Sequence, residues 1–394
     1  MGSGDWNDGM STVGNKGKGE SVWLGFFLYD ILNKFIPIME ERRRKSENGS
    51  WKLEVRSWNS DNQNNAQNDE IDVGAKSVRN TSLGIPNFAQ EGSQNNLPDD
   101  ETIVGASIAR PHFEETTLIQ KYKQTLDKLK KALNTWGWDG RWYKRAFMDD
   151  GNILGSLENE ECRIDGISQS WATISNAGDN DKKYISIESL ENHLVDKENG
   201  LIKLLDPPFE KSKLEPGYIK SYLPGTRENG GQYTHGAIWA IIAETMLGFG
   251  DKAVELFRMI NPIEHSKTRE SAQKYKVEPY VIVADIYSHE NLAGRGGWSW
   301  YTGSSSWMLK LGIEHIIGLK IEKGILSLKP CISSEWKEYA ISYKYGNSIY
   351  NIKVENPNNK NTGVESFTLN GQEIEEKQVK LIDDGRVYDI KVIM

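Results

Sequence analysis

The sequence predicts a mainly α-helical chain that ends in a small all-β domain. Between about Gly19 and His315, apolar residues recur at spacings of three and four, which is typical of helices that bury one face. Beyond Gly318, apolar and polar residues alternate, and tight-turn dipeptides such as Asn370-Gly371 appear. We therefore expect a helical region at residues 1–317 and an all-β domain, organised as a β-sandwich, at residues 318–394.

The composition argues against several classes of protein. The 394 residues suggest about two to three domains, and their net charge of −8 without a long basic block makes nucleic acid an unexpected partner. Cys162 and Cys331 are too few for a disulfide framework. The sequence has no run of about 18 apolar residues. Its N-terminus has neither a basic start nor an apolar stretch, so we expect no membrane insertion, no signal peptide and a cytoplasmic location.

Tryptophan is unusually abundant, with 13 residues in the chain. Large aromatic side chains are often retained for flat contacts, and sugar rings are one frequent partner. This abundance directs attention to segments in which tryptophan lies beside carboxylates, glycines and hydroxyl groups.

The helical region begins with a predicted helix from about Gly19 to Lys45, which Pro37 is expected to kink or shorten. Residues 46–112 include a low-complexity run rich in asparagine and have little apolar periodicity. We therefore expect a disordered or loosely attached insertion there. A second helix is predicted from about Glu114 to Thr135, and an aromatic-rich hairpin follows at residues 137–155.

Further helices are predicted after the hairpin, separated by connections rich in glycine and proline. Their expected ranges are 165–177, 183–197, 235–247, 250–260, 270–286 and 303–315. Short helices joined by elaborate loops favour helix pairs arranged around a centre.

The segment GDWNDGM at residues 4–10 places two carboxylates, Asp5 and Asp8, on either side of Trp6 and Asn7. In a loop, side chains three residues apart can point to different sides, so one carboxylate can hold the loop while the other faces a pocket. A carboxylic acid beside an aromatic ring in a half-buried cleft can act as a general acid. The alternative is a cluster of Asx turns that only shapes the loop.

A second segment, LPGTRENGGQYTHGAIW at 223–239, places Glu228 and His235 on either side of a Gly-rich loop. Glycines let the backbone approach a ligand closely, and His235 near a helix start is a candidate donor to an anion. The alternative is a loop that only caps the helix. None of the six histidines has metal-ligand spacing, so no metal is expected.

Two more segments combine polar groups with predicted helix starts. GRGGWSWYTGSSSW at 294–307 brings Thr302, Gly303 and three serines to a helix start whose free N–H groups suit an anion. The alternative is a capped helix beside core tryptophans.

The segment ECRIDGISQSWATIS at 161–175 contains Asp165 and Gln169 on one helix face. Their polar groups either satisfy each other's hydrogen-bonding needs inside a core or bind sugar hydroxyls.

Taken together, the four segments resemble glycoside hydrolase family 94, the inverting sugar phosphorylases. DWND, ECRID with QSW, RENGGQYTHGA and WYTGS follow each other in the family's order. KGKGESVWLGFFL and PGYIKSYLPGTRENGGQYTHGAIWA look most like the phosphorylase domain of cyclic β-1,2-glucan synthases and the 1,2-β-oligoglucan phosphorylases. The family fold implies that residues 1–317 form the second half of an (α/α)6 barrel and that the C-terminal β-sandwich follows.

The resemblance also implies a mechanism. In the family, phosphate attacks the anomeric carbon of a β-linked glucoside in a single displacement that gives α-glucose 1-phosphate, and a carboxylic acid protonates the glycosidic oxygen. Phosphate is a co-substrate, and no cofactor is expected. Asp8 corresponds to the general acid. The residues expected at the sugar are Trp6, Asp5, Glu228, Gln232, Asp165, Gln169 and Trp300, and those expected at the phosphate are His235, Thr302 and Gly303.

Two features depart from the family pattern. EPYVIVADIY at 278–287 lacks a glutamine that other branches use near the phosphate, as does the branch that this chain resembles. The general acid lies near the middle of a family barrel but is residue 8 here. We therefore expect a C-terminal part of a longer enzyme with little activity alone, for which a separate N-terminal half is a candidate partner. Family members often form dimers.

Other interpretations of the same residues remain open. One is a carbohydrate-binding remnant that keeps the aromatic sites but does not turn over. A second is a phosphorylase of the cellobiose or cellodextrin type, because the residues that set the linkage lie partly outside this sequence. A third is a hydrolase on the same barrel, which a strict requirement for phosphate would exclude.

Overall fold

The structure, a computed structural model, describes residues 5–47 and 109–394. The insertion predicted at 46–112 lies almost wholly outside the described residues. The chain divides into two compact units, one formed by Met1–Ile36 with Tyr122–Met394 and the other by Pro37–Lys121. The described part of the smaller unit consists of helical residues 37–47 and 109–121.

Helices dominate the described residues up to 318, as the apolar periodicity predicts. They are α1 (Val22–Glu47), α2 (Ala109–Thr135), α3 (Gly166–Ile174), α4 (Asn180–Leu194), α5 (Thr234–Leu247), α6 (Gly250–Met259), α7 (Pro262–His265), α8 (Arg269–Tyr275) and α9 (Thr302–Lys310). Helix α9 continues into a π-helical turn at Leu311–Ile316. Helices α3, α4, α6 and α9 all pack against α5, which is buried almost along its whole length. The (α/α)6 arrangement itself stays a prediction.

Helix α1 confirms the first predicted helix, but it continues past Pro37 to Glu47, so the expectation of a shortened helix is wrong. Proline removes one backbone hydrogen bond from a helix interior. The buried side chains of Ile36 and Met39 flank the proline. Burial on both sides therefore offsets the lost bond, because most helix stability in proteins comes from packing.

Among the described residues, residues 22–45 of α1 form one helix whose length and composition would suffice to cross a membrane. Core helices of soluble proteins satisfy the same criterion, and 39% of its most apolar window is buried in the structure. Trp23 and Phe26 pack into the main core, whereas Leu28, Ile31 and Phe35 are exposed. The helix therefore has one apolar face in the core and another open to solvent.

The predicted helix at 270–286 is wrong beyond Tyr275. Helix α8 ends where Lys276 takes a left-handed conformation at φ 59°. Pro279 follows, and a proline disfavours helical geometry at the residue before it. The chain then forms a short strand, Asp285–Ile286, which pairs antiparallel with Gln232–Tyr233.

Short strand pairs order the loops between the helices. They are β1 (Glu20–Ser21), β2 (Ala146–Phe147), β3 (Ile153–Leu154), β4 (Ile164–Asp165), β5 (Val195–Asp196), β6 (Leu201–Ile202), β7 (Leu205–Asp206), β8 (Gln232–Tyr233) and β9 (Asp285–Ile286). Strands β2 and β3 confirm the predicted hairpin, and β1 adds to its edge. Because β4 and β8 run directly into α3 and α5, each pair fixes the start of a helix.

The region after Gly318 is all β, as predicted. Its strands are β10 (Leu319–Glu322), β11 (Ile325–Leu328), β12 (Glu338–Tyr345), β13 (Ser348–Glu355), β14 (Ser366–Leu369), β15 (Gln372–Glu373), β16 (Gln378–Lys380) and β17 (Val387–Ile393). They form two sheets, β10-β11-β16 and β12-β13-β17-β14-β15, in which only β13 and β17 pair in parallel. Asn370 and Gly371, at φ 50° and 82°, make the predicted tight turn between β14 and β15. The sandwich arrangement stays a prediction.

The last turn of α5 carries a fully buried carboxyl group, Glu244. Burial, together with the charge and hydrogen bond of Glu191, raises the pKa of Glu244 to about 9, and Lys252 opposes the shift. The folded protein therefore holds a proton on Glu244 at neutral pH that the unfolded chain, with an ordinary glutamate pKa near 4.5, releases.

This difference in pKa makes stability depend on pH. The pKa of Glu244 is higher in the folded protein than in the unfolded chain, so binding of the proton stabilises the folded state. This stabilisation is complete below the pKa of the unfolded chain, near 4.5, and is lost as pH rises toward about 9. In wild type, the free energy of unfolding should fall by up to about 1.4 kcal/mol per pH unit because of Glu244, and we expect Glu244→Gln to remove this fall. The free energy of unfolding is measured by urea titration between pH 6 and pH 9. Glu198→Gln, at an exposed position, is the control. Equal pH slopes in wild type and Glu244→Gln would contradict the assignment.

Candidate functional site

The loop that begins the described chain is anchored by Asp5, whose side chain is fully buried. Its Oδ1 accepts hydrogen bonds from the Asn7 amide at 3.0 Å and from Arg145 Nη2 at 2.5 Å. Its Oδ2 accepts from Ser21 Oγ at 2.7 Å. Both oxygens are thus occupied by protein donors. These contacts favour a role for Asp5 in holding the loop, and sugar binding by Asp5 stays a prediction.

Arg145 joins this loop to helix α3. The guanidinium is fully buried and lies between two carboxylates, 2.5 Å from Asp5 Oδ1 and, through Nε, 3.3 Å from Asp165 Oδ2. Asp165 caps α3 by accepting a hydrogen bond from the Ile167 amide at 2.8 Å. Burial raises the pKa of Asp165 to about 6, and Arg145 acts in the opposite direction.

The polar residues predicted around α3 and β8 serve the core. Gln169 Oε1 accepts from the Tyr143 amide at 2.7 Å, and its Nε2 donates to the carbonyls of Tyr143 and Asp165. Gln232 Oε1 accepts from the Ile202 amide at 2.9 Å. The side chains of Asp165, Gln169 and Gln232 are buried, and the hydrogen bonds of Gln169 favour a structural role for it. Sugar binding by these three residues stays a prediction.

Asp8 and Trp6 take a different position from Asp5. Asp8 is exposed at the first residue of a 3-10 turn, Asp8–Met10, and its carboxylate accepts a hydrogen bond from the Tyr218 hydroxyl. Trp6 is half-buried, with edge-on contacts at 5.1 Å between ring centroids to both Tyr233 and Trp239. The two carboxylates of the motif therefore point to different environments, one inside the core and one to the solvent side.

Glu228 lies close enough to Asp8 for the two charges to interact. The pKa of Glu228 is raised, and burial is the main cause. The negative charges of Asp285 and Asp8 raise this pKa further, whereas the positive charge of Arg227 lowers it. Arg227 Nε lies 3.5 Å from Glu228 Oε2. The structure thus brings together the carboxylates of the first and second sequence motifs, which are 220 residues apart (228 − 8).

His235 and the start of α9 meet at one corner of the site. A Cβ added to Gly303 would lie 2.9 Å from His235 Nε2, so only glycine fits there without displacing the imidazole. Burial lowers the pKa of His235 to about 4, which keeps the ring neutral at neutral pH. No side chain caps the start of α9, where Thr302 is exposed. The three residues predicted for the phosphate therefore lie together beside helix N–H groups.

Asp285 is a site residue that the sequence analysis missed. Its buried carboxylate accepts from the Arg227 amide at 3.1 Å and from the Trp298 amide at 3.2 Å, so it ties the second motif to the third. A cleft of about 240 Å³ opens there, lined by Arg227, Tyr233, Ala284, Asp285, Tyr287 and Trp298. The only signal in the sequence was a single carboxylate within the apolar run VIVADIY.

Trp300 lies on the exposed side of the third motif. Its φ of 58° is left-handed, its Nε1 donates to Glu278 Oε1 at 3.1 Å, and its ring is edge-on to Tyr280. Within residues 5–47 and 109–394, no group of three or more His, Cys, Asp or Glu side chains is arranged to hold a metal ion.

Comparison with known proteins assigns these motifs to a family. The sequence profile of the Glycosyl hydrolase 94 superfamily, catalytic domain, matches residues 1–92 and 106–318. The chain is 36% identical to cyclic beta-(1,2)-glucan synthase NdvB of Rhizobium meliloti over 351 residues, which are 89% of this chain and 10% of the synthase.

Two sugar phosphorylases are more distant relatives. Solabiose phosphorylase of Paenibacillus borealis is 25% identical over 99% of this chain and 41% of its own length. N,N'-diacetylchitobiose phosphorylase of Vibrio furnissii is 27% identical over 67% of this chain and 33% of its own. The chain thus spans between a tenth and about two fifths of the length of these relatives.

Proposed function

Since the chain belongs to the glycosyl hydrolase 94 superfamily, we propose that it carries the catalytic centre of a glycoside phosphorylase that acts on β-linked gluco-oligosaccharides. The name of the 36% identical relative, a cyclic beta-(1,2)-glucan synthase, favours β-1,2 linkages. The reaction would be an inverting single displacement, in which inorganic phosphate is the co-substrate and α-glucose 1-phosphate the product. No cofactor takes part in it.

The observation that carries the proposal is the different treatment of the two carboxylates in the DWND motif. Asp5 is locked to Arg145 inside the protein, whereas Asp8 is exposed beside Tyr218 and faces Glu228. A general acid must be within reach of the leaving oxygen and must be able to give up a proton there. Asp8 is exposed and open to a ligand, whereas both oxygens of Asp5 accept hydrogen bonds from protein groups, which supports Asp8 as the acid.

In the proposed step, a phosphate oxygen forms a bond to the anomeric carbon while the bond from that carbon to the glycosidic oxygen breaks. Asp8 gives its proton to the departing oxygen, which leaves as a sugar hydroxyl. Phosphate is itself an anionic nucleophile, so no second carboxylate is needed as a base, in contrast to an inverting hydrolase. Trp6, packed edge-on against Tyr233, presents its ring to the sugar.

The corner formed by His235, Thr302 and Gly303 is the proposed phosphate site. The N–H groups at the uncapped start of α9 suit an anion. A neutral His235 adds a hydrogen bond but no positive charge, because burial keeps its pKa at about 4. Phosphate binding should therefore stay nearly constant between pH 6 and pH 8 as far as His235 is concerned.

Replacing Gly303 by alanine tests this corner. The added methyl group would lie 2.9 Å from His235 Nε2 and would also narrow the approach to the helix start. We expect the KM for phosphate to rise at least about tenfold, which corresponds to about 1.4 kcal/mol, with a smaller change in sugar affinity. Gly312→Ala, whose Cβ would be 3.8 Å from Phe257, is the matched control. An unchanged KM for phosphate in Gly303→Ala would remove the corner from the phosphate site.

The function itself is tested with sophorose and phosphate, using the protein at its natural length. We expect α-glucose 1-phosphate to appear in proton NMR spectra, in amounts equal to the glucose released, with no turnover when phosphate is omitted. Cellobiose serves as the comparison for linkage. Release of glucose without phosphate would identify a hydrolase, and binding without turnover on either sugar would identify a carbohydrate-binding remnant.

A further inference from the structure

A hydroxyl group that the sequence analysis did not select lies against the proposed general acid. The phenol of Tyr218 donates a hydrogen bond to the Asp8 carboxylate. Tyr218 begins the 3-10 turn Tyr218–Ser221, which we call the tyrosine turn, and Asp8 begins the 3-10 turn Asp8–Met10, which we call the acid turn. The catalytic step described above gives Tyr218 no part.

The two turns are held together by packing and by a backbone hydrogen bond. Met10 of the acid turn and Ile219 of the tyrosine turn are both fully buried in one apolar cluster. Just after the acid turn, the Thr12 amide donates to the carbonyl of Pro216 at 3.2 Å, two residues before the tyrosine turn. The backbones of the two turns therefore have fixed positions relative to each other.

A glycine allows the close approach of the two turns. Gly217, immediately before the tyrosine turn, has a φ of 127°, in the region that favours glycine. A Cβ added at this position would lie 2.6 Å from the carbonyl oxygen of Gly9, inside the acid turn. The absence of a side chain at Gly217 therefore lets Tyr218 begin its turn next to Asp8.

The ring of Tyr218 is oriented by neighbours other than Asp8. It lies edge-on to Tyr222, with 6.0 Å between the ring centroids and an interplanar angle of 90°. The guanidinium of Arg227 lies over the other ring, 4.8 Å from the centroid of Tyr222. Arg227 also pairs with Glu228 at 3.5 Å. A row of contacts thus connects the phenol to the second motif and holds it in place for the acid.

We propose that Tyr218 is a positioning residue for the general acid Asp8. A carboxylic acid carries its proton on one oxygen, and its other oxygen is the better acceptor. The hydroxyl of Tyr218 therefore keeps the proton of Asp8 on the oxygen that faces the glycosidic bond. As this proton leaves, the carboxylate becomes charged, and a hydrogen bond to a charged acceptor is stronger. The bond from Tyr218 then stabilises the transition state more than the ground state, which raises kcat.

Tyr218 acts as a hydrogen-bond donor and not as the acid. Loss of hydration in the fold is the first cause that raises the pKa of Tyr218, and the hydrogen bond and charge of Asp8 raise it further. The phenol therefore keeps its proton during the reaction, and the proton that reaches the glycosidic oxygen comes from Asp8. This inference rests on the proposed function, in which Asp8 is the acid.

The first test compares Tyr218→Phe with wild type on two β-glucosyl substrates. Phenylalanine keeps the ring beside Tyr222 but removes the hydroxyl. We expect kcat for sophorose to fall at least about tenfold, with the KM for sophorose and for phosphate changed less than about twofold. With a dinitrophenolate leaving group, which needs little protonation, kcat should change less than about twofold. A role in folding alone would lower both rates alike.

The second test requires no turnover. In protein isotopically labelled at the tyrosine Cζ, the NMR resonance of Tyr218 is assigned by its loss in Tyr218→Phe, and its ionisation is followed with pH. Asp8→Asn should shift this ionisation to lower pH, because the charge of Asp8 raises the pKa of Tyr218. Asp150→Asn, at an exposed aspartate, is the control. For the kinetics the matched control is Tyr184→Phe, since Tyr184 is 48% exposed and Tyr218 is 42% exposed.

The outcomes separate the positioning role from the proposed function. Equal losses of kcat on the two substrates, or an unchanged kcat for sophorose in Tyr218→Phe, would overturn the positioning role and leave the proposed function in place. A Tyr218 ionisation that does not respond to Asp8→Asn would also overturn it. A wild type without phosphate-dependent turnover, in which the ionisation of Tyr218 still depends on Asp8, would refute the proposed function but support the pairing.

Discussion

Asp8→Asn is expected to lower the kcat of phosphorolysis by on the order of 10²–10⁴-fold, the usual contribution of a general acid. Asparagine keeps the size of the side chain and can still pair with the Tyr218 hydroxyl, but it has no proton to give to the glycosidic oxygen. Since Asp8 is exposed at the surface of the loop, the thermal midpoint of unfolding should change little. The rate is measured with sophorose at saturating phosphate.

The leaving group provides the decisive control for Asp8. A β-glucosyl substrate with a dinitrophenolate leaving group needs little protonation, so Asp8→Asn should lose far less activity on it than on sophorose. Asp150→Asn, at another exposed aspartate, should leave both rates unchanged. Equal losses of Asp8→Asn on the two substrates would show that Asp8 acts in binding or positioning and not as the acid.

Arg145→Met is expected to destabilise the protein by about 3–5 kcal/mol, because removing one partner of a buried ion pair leaves the other charge uncompensated. Here two carboxylates, Asp5 and Asp165, would lose the same guanidinium. The free energy of unfolding is measured by urea titration. Arg141→Met, at an exposed arginine near the same hairpin, should change it by less than about 0.5 kcal/mol.

A second variant separates charge from packing at Arg145. Adding Asp165→Asn to Arg145→Met removes one of the uncompensated charges, so the double variant should recover part of the lost stability. The pH dependence gives the same information. Burial already raises the pKa of Asp165 to about 6, so protonation of this carboxyl should make Arg145→Met lose less stability at pH 5 than at pH 8. A double variant that is less stable than Arg145→Met would contradict the ion-pair account.

The helices show what local pattern predicts well. Helices α1 to α6 and α9 follow the predicted ranges within a few residues, because apolar periodicity and turn residues act over short distances along the chain. The prediction failed at residues 276–286, where apolar residues looked helical but belong to a segment that passes Pro279 and pairs with β8. Periodicity does not reveal a strand whose partner lies about 50 residues away.

The site shows a second kind of limit. The sequence identified the four motifs and the family, and it put Asp8, Glu228, His235 and Gly303 on the list of candidates that the structure brings into one region. It also listed Asp5, Asp165, Gln169 and Gln232, which the structure buries among protein donors and acceptors. The spacing of three residues between Asp5 and Asp8 in GDWNDGM indicated that the two carboxylates could face different environments. It did not indicate which of them faces inward.

Local patterns along the chain predict the helical and β regions, and the motifs with their order identify the family. They do not distinguish the polar residues that support the fold from those that are open to a ligand, because burial and pairing depend on groups far apart in the chain. Arg145, 140 residues after Asp5, determines that Asp5 holds the loop and leaves Asp8 as the exposed carboxylate.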